Sequence, residues 1–303
     1  MMNRLSAPWL MLGASFLFAT MGVCVKLASA HYSTGEIVFY RGMVGLLFIW
    51  GLTRWRGGEL RTPVPAMHLW RSISGVAALS LWFYAIGTLP LSTAITLNYM
   101  SSIWMALFLI GGAIMLGAAK VDGRLVLTVL VGFAGVALVL QPTLEPQQFK
   151  GALAGLFSGM LSALAYLQVT ALGRAGEPEY RVVFYFSLGG LSVGLILALA
   201  GGLHAHTWAG AGLLLATGLL ATTAQILMTR AYAIGRTLSN ASLQYMGIAF
   251  SFVYGALLFD DKINALSLIG VVLIVAAGMA ATLLRQQASP HSKDLTKDST
   301  LEA

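Results

Sequence analysis

Few side chains in this sequence could do chemistry, and most of those are neutral. Asn98, Ser101, Ser102 and Met105 fall at i, i+3, i+4 and i+7, a spacing that puts them on one helical face. Gln244, Gly247, Ser251 and Tyr254 nearly repeat that stripe, and Thr222, Gln225 and Thr229 form a third. Ser158, Ser162 and Tyr166 make a fourth, and Ser80, Tyr84 and Thr88 a fifth. An amide offers donor and acceptor together. Tyr99 follows Asn98 and Tyr245 follows Gln244, so each amide has an aromatic face beside it. Such groups suit the reversible holding of a small zwitterionic or aromatic solute. The plainer alternative is hydrogen bonding from helix to helix, which polar residues do in any bundle. Gly151, Gly155 and Gly159 recur every four residues and imply a close helix contact.

Catalytic and metal constellations are missing from the pattern. There is no pair of aspartates deep in the spans, no H-E-x-x-H and no Walker motif, and Cys24, the one cysteine, has no histidine near it. His204 and His206 have no further ligands beside them, so no metal or other cofactor is expected. Arg41 is the most distinctive ionisable group, because it interrupts an otherwise uncharged run next to Tyr40. Either it holds a substrate carboxylate, or it pairs structurally with Glu36. No acid lies deeper than Glu36, so facilitated diffusion or exchange is expected rather than a buried proton relay.

The elements that must position these groups follow from composition. The chain has 303 residues, 58% of them apolar and only 10% charged. A soluble domain is nearer a quarter charged, so a water-soluble or disordered protein is excluded. Uncharged runs cover 5–25, 37–52 (broken by Arg41), 72–119, 125–140, 151–173, 182–229, 237–259 and 263–284. Two of these are too long for one span. The first splits at Gly87-Thr88-Leu89-Pro90 and the second at Gly201-Gly202-Leu203-His204. Ten transmembrane helices result, an all-α membrane protein, since only helices or closed barrels satisfy backbone groups in lipid. Ala28-Ser29-Ala30 has the small-residue pattern of a leader cleavage site, but Lys26 and the length of the preceding run favour a retained span.

Charge sets the orientation. Fourteen of the 18 Lys and Arg fall on the side of the N-terminus, Arg71 among them, against Lys26, Lys150 and Lys262 opposite. By the positive-inside rule both termini are expected in the cytoplasm. The net charge of +7 is therefore a topology signal, and no nucleic-acid partner is expected.

The chain also repeats itself. Tyr84-Ala85-Ile86-Gly87 is matched by Tyr232-Ala233-Ile234-Gly235, and Asn98-Tyr99-Met100 by Gln244-Tyr245-Met246, in the same order and at corresponding spans. A unit of five helices used twice must enter the membrane from opposite sides. The expectation is two inverted repeats, residues 1–145 and 146–285, with a disordered cytoplasmic tail at 286–303.

On Phe39-Tyr40-Arg41-Gly42, Trp82-Phe83-Tyr84-Ala85-Ile86-Gly87-Thr88-Leu89-Pro90-Leu91, Gly132-Phe133-Ala134-Gly135-Val136 and Ala231-Tyr232-Ala233-Ile234-Gly235, the sequence resembles the drug/metabolite transporter superfamily, in its branch of two EamA domains. The resemblance spans roughly residues 8 to 285. Members often carry Gly-Glu where helices four and nine end. Here those places hold Ala118-Ala119-Lys120 and Phe259-Asp260-Asp261, so any role of the first glutamate does not carry over.

The resemblance implies a secondary transporter of a small metabolite in the inner (plasma) membrane, most plausibly an exporter of amino acids or related compounds. The alternative is uptake of a flat aromatic metabolite, a vitamin or a nucleoside-like compound. A channel or an intramembrane enzyme would need a ring of charge or a catalytic cluster, and neither is present. The partners expected are the small-molecule substrate and the lipid bilayer, with the chain a monomer or a homodimer. Candidate substrate-binding residues are Arg41, Tyr84, Asn98, Tyr99, Ser102, Tyr166, Gln225, Gln244 and Tyr245. For topology, a reporter fused after Ala303 is expected to be active only in the cytoplasm; activity confined to the outside would reverse the orientation.

Overall fold

The computed structural model describes residues 7–101, 103–104, 107–108, 111, 123–140, 146–234, 245–261 and 264–288. Among them are ten helices and no strand. They are α1 (Ala7–Ala28), α2 (Thr34–Arg56), α3 (Pro65–Thr88), α4 (Leu91–Tyr99), α5 (Gly123–Leu140), α6 (Pro146–Arg174), α7 (Glu179–Gly201), α8 (Trp208–Ile234), α9 (Met246–Leu258) and α10 (Ala265–Ala288). Six of these, α1 to α3 and α6 to α8, are long and apolar enough to cross a bilayer. The protein is thus an all-helical membrane protein. Both long uncharged runs divide where their turn residues imply. α3 stops at Thr88 and α4 starts at Leu91, while α7 stops at Gly201 and α8 starts at Trp208.

Helix ends depart from the uncharged runs for identifiable reasons. α2 begins with a capping box: the Ser33 hydroxyl accepts from the Glu36 N–H, and the Glu36 carboxylate accepts from the Ser33 N–H. It ends at Gly57, whose φ of 71° suits a glycine. α3 begins at Pro65, well before Ser72, because a proline in the first turn has no N–H to leave unsatisfied. This corrects the charge count. Arg71 is not a loop residue but lies in the second turn of α3, 3% exposed. α10 continues to Ala288, past the expected end of the second repeat, and 289–303 lie outside the described residues.

The most extensive pairings are α2 with α7, α3 with α6, α1 with α8 and α5 with α10. α4 packs on α6 and α9, and α9 also on α1. Several of these contacts bring backbone against backbone. A Cβ on Gly42 of α2 would strike the backbone of Leu191 in α7, and one on Gly194 of α7 would strike that of Phe39 in α2. The glycine repeat of α6 does what its spacing implies: a Cβ on Gly159 would stand 2.6 Å from the Leu97 carbonyl of α4. Without side chains between them the helices gain close dispersion contact, the main attraction available in lipid. The central core, with Phe83, Ile86, Leu97, Tyr99 and Ile274 buried together, joins α3 and α4 to α10.

Polar ties close both ends of the bundle. Opposite the α1 start, Glu36 accepts from the backbone N–H of His204 at 2.8 Å and meets its ring Nδ1 at 2.7 Å. Lys26 donates to the carbonyl of Leu89 at 2.6 Å, while Asp261 accepts from the N–H of Leu91 at 3.0 Å. The α3–α4 turn is thereby held from both sides, by a cation on the helix end and an anion on the helix start. At the other face His68 donates from Nε2 to Glu177 at 2.8 Å, and Arg181 donates to the same carboxylate at 3.1 Å. Arg181 also reaches the Glu59 carbonyl, which fastens the α2–α3 loop to α7.

Burial alone would raise the Glu177 carboxyl, but the His68 hydrogen bond and the Arg181 charge outweigh it and hold it below the usual range. The stability it contributes is therefore complete above the unfolded value of about 4.3 and is lost as pH falls through the lower folded one. Glu177→Gln is expected to cost about 1–3 kcal/mol at neutral pH and to flatten the acid limb of the melting curve against pH. Parallel acid limbs for variant and parent would show that this cluster does not carry the effect.

Candidate functional site

Between α1 to α4 and α6 to α8, one cavity collects the rarest side chains of the sequence. Five of the nine candidates line it: Arg41, Asn98, Tyr99, Tyr166 and Gln225. They come from four helices, α2, α4, α6 and α8, and from sequence positions as far apart as 41 and 225. Each is set there by helical phase, since the stripes found in the sequence face inward on α4, α6 and α8. The space reachable by the centre of a water molecule is ≈ 60 Å³, room for a few waters. Sites for metabolites are several times larger, so a solute enters only as the surrounding helices part.

Of the other four candidates, the two that are described lie elsewhere. Tyr84 is 38% exposed on the surface of the bundle and does not line the cavity. Its helix presents Arg71, Gly75, Ala78, Leu79 and Trp82 to the cavity. Tyr84 follows Trp82 by two residues, about 200° around the helix, and so faces away. The Ser80 and Thr88 hydroxyls of the same stripe bond back to their own helix, at Val76 and Tyr84. Tyr245 is 6% exposed and sits in the central core with Tyr99, but outside the cavity wall. Ser102 and Gln244 lie outside the described residues.

Asn98 serves the packing as well as the cavity. Its amide donates to Ser158 at 2.5 Å and Ser162 at 3.1 Å, pinning α4 to α6 through a stripe the sequence had marked. Tyr166 stacks at 6.2 Å on Tyr232 of α8. Tyr99 lies over Gly247 of α9, where a Cβ would meet its hydroxyl.

Arg41 does not pair with Glu36, whose carboxylate is taken by Ser33 and His204. Its guanidinium instead stands over the ring of Phe186 in α7, 4.7 Å from the centroid. Arg71, which the sequence reading missed as a site residue, stands over the same ring at 4.3 Å. The signal for it was the Val64-Pro65 step, which starts α3 early enough to carry Arg71 into the bundle. Arg41 and Arg71 lie on consecutive helices that run in opposite directions, each about 10 Å along from its own helix start. The two charges thus converge from opposite faces. Cation–π attraction returns about 0.5–2 kcal/mol per guanidinium, whereas burying an unpaired ion costs several. The balance is positive charge held at a cost.

Gly75 makes the arrangement possible. It lies one turn beyond Arg71, and a Cβ there would collide with Arg71 Nη1 and crowd Phe186 at 2.9 Å. The bare backbone lets the guanidinium lie back across its own helix onto the ring.

Comparison with known proteins agrees with this architecture. Residues 5–141 match the EamA-like transporter family. The pseudopaline exporter CntI of Pseudomonas aeruginosa is 33% identical over 88% of this chain and 92% of its own. A riboflavin transporter of Rhizobium johnstonii is 26% identical, over 90% of this chain and 89% of its own. One solved crystal structure superposes with a TM-score of 0.65 at 18% identity, covering 93% of this chain and 99% of that one, a likeness of fold.

Asn98→Ala removes both hydrogen bonds to α6 and is expected to destabilise by about 1–2 kcal/mol, seen as a lower melting temperature in detergent. Gln225→Ala, which breaks no such link, is expected to melt within a degree or two of the parent. Equal losses in both would mean that Gln225 is a packing residue too.

Proposed function

The chain belongs to the EamA-like transporter family, and from that premise we propose that it exports amino acids or related small metabolites by alternating access of the central cavity. Membership makes it a transporter rather than an enzyme, integral to the inner membrane. The observation that carries the reading is the cavity itself, where seven helices bring two guanidiniums, two amides and five aromatic side chains to one small space. Export is supported by the likeness to the pseudopaline exporter.

The moving parts in this proposal are two inverted five-helix repeats, 1–145 and 146–285, with both termini cytoplasmic. The packing pattern supports them. Exchanging each helix for the one five places later turns α3–α6 into α8–α1, α4–α6 into α9–α1 and α2–α8 into α7–α3, all of them pairings that occur. The same exchange leaves α2–α7, α4–α9 and α5–α10 unchanged, as a twofold relation requires. Five helices per unit, an odd number, makes the second copy inverted. With Arg71 inside α3, thirteen Lys and Arg against three still favour cytoplasmic termini.

A second reading, uptake of a flat aromatic metabolite, is favoured by the cavity's Trp82, Tyr99, Tyr166 and Phe186 and by the riboflavin transporter relative. Reconstituted vesicles separate the two. The expected result is counterflow of an amino acid or a close relative and none of riboflavin, with Gln225→Ala slowing it about tenfold, a loss of one hydrogen bond to substrate, at unchanged protein level. Riboflavin movement alone would favour the second reading. Normal counterflow in both Gln225→Ala and Arg41→Gln would remove this cavity as the transport site.

A further inference from the structure

We infer that the cavity is built for a dianion: Arg41 and Arg71 together hold a solute that carries two carboxylates. The inference rests on the cavity being the transport site and goes further, to the charge of the cargo.

Both arginines are more than nine-tenths buried, at 4% and 3% exposure, and both line the cavity. The Nε of each, and Nη1 of Arg71, have no hydrogen-bond partner. Among the described residues no acid lines the cavity. Three acids at the helix ends are engaged by other partners: Glu36 with Ser33 and His204, Glu177 with His68 and Arg181, and Glu179 with Arg230. Among the described residues, the protein thus supplies two buried cations and sets no carboxylate in the cavity wall beside them.

A shared ring does not repair that deficit. Phe186 offers its π-face to both guanidiniums, but the attraction of a ring is weaker than the hydration each has lost. A carboxylate does repair it, because a guanidinium presents a fork of N–H donors that a carboxylate accepts in pairs. One carboxylate satisfies one arginine and leaves the other unpaired. Two satisfy both, and since both arginines contact one ring, a single small molecule reaches both. The indole N–H of Trp82, also buried in the cavity wall without a partner, is a third donor aimed at an anion. Asn98 and Gln225 remain for a neutral polar group of the same solute. A cationic solute finds no anion to meet. The site therefore ranks dicarboxylates first, zwitterions with one carboxylate second and basic amino acids last.

The experiment uses the full chain in detergent and in vesicles. Straight dicarboxylates from malonate to adipate are compared with their monoamides, and L-glutamate with L-glutamine and L-lysine, by equilibrium binding and thermal shift. The expected result is at least one dicarboxylate bound tenfold or more tightly than its monoamide, with glutamate above glutamine and lysine silent. Arg71→Gln is expected to erase that preference and also to raise the melting temperature of the empty protein, because an uncompensated charge leaves the interior. An arginine with a purely structural role would lower it. Gly75→Ala, which keeps both charges but displaces Arg71, is expected to erase the preference as well. If no dicarboxylate outbinds its monoamide, or if the preference survives in Arg71→Gln, the dianion site is overturned, and counterflow of neutral amino acids would still stand as evidence for transport. Tight dicarboxylate binding without movement of any solute in the panel would instead count against the transport reading and leave the anion site in place.

Discussion

A guanidinium inside a membrane protein has lost its water and must be given something in return, and this protein returns very little. Arg41 and Arg71 share one aromatic ring and face a cavity with no acid in its described wall. Much of the surrounding structure follows from that tension. Gly75 clears the path of Arg71, and Phe186 is placed where two helices can reach it. Glu36, close enough along α2 to have quenched Arg41, is drawn off to His204. Polar groups at the helix ends are paired and fasten loops to helices, while charged groups at the centre are left waiting. Stability thus resides at the two faces and reactivity toward solutes in the middle, a division that suits a protein whose interior must change partners repeatedly.

The spans were legible because lipid imposes a simple rule: a helix must be apolar for about twenty residues. The two tight joints were legible because glycine, proline and histidine interrupt those runs. Inward stripes on α4, α6 and α8 were legible because their polar residues recur at helical spacing and little else in the chain is polar. Three features were not. Arg71 was lost because an uncharged run begins after the last charge, whereas the helix begins at the proline before it. Tyr84 was misplaced because α3 carries two candidate faces, and the one with a buried arginine and a small residue beneath it turns inward. The Glu36–His204 tie joins residues 168 positions apart, and no local pattern announces a contact between a helix start and a distant loop.

Fold and cargo are specified by different residues. The glycines, the α3–α4 turn and the close helix pairings set how the ten described helices pack. In the proposal made above, cargo is set by a handful of groups that contribute little to packing, Arg71 and Gln225 above all. Relatives that share the fold can therefore carry different solutes, and likeness over nine-tenths of the chain fixes the architecture before it fixes the chemistry.

The meeting of α2 and α7 has a further consequence. Helices that interlock through side chains must lift their ridges out of each other's grooves before they can turn. Where Gly42 and Gly194 bring main chain directly against main chain, there are no ridges to lift. Such a joint is tight against separation yet smooth to rotation, as a bearing is. In the alternating-access proposal, the residues that hold this pair closest together also make it the axle about which the two halves swing.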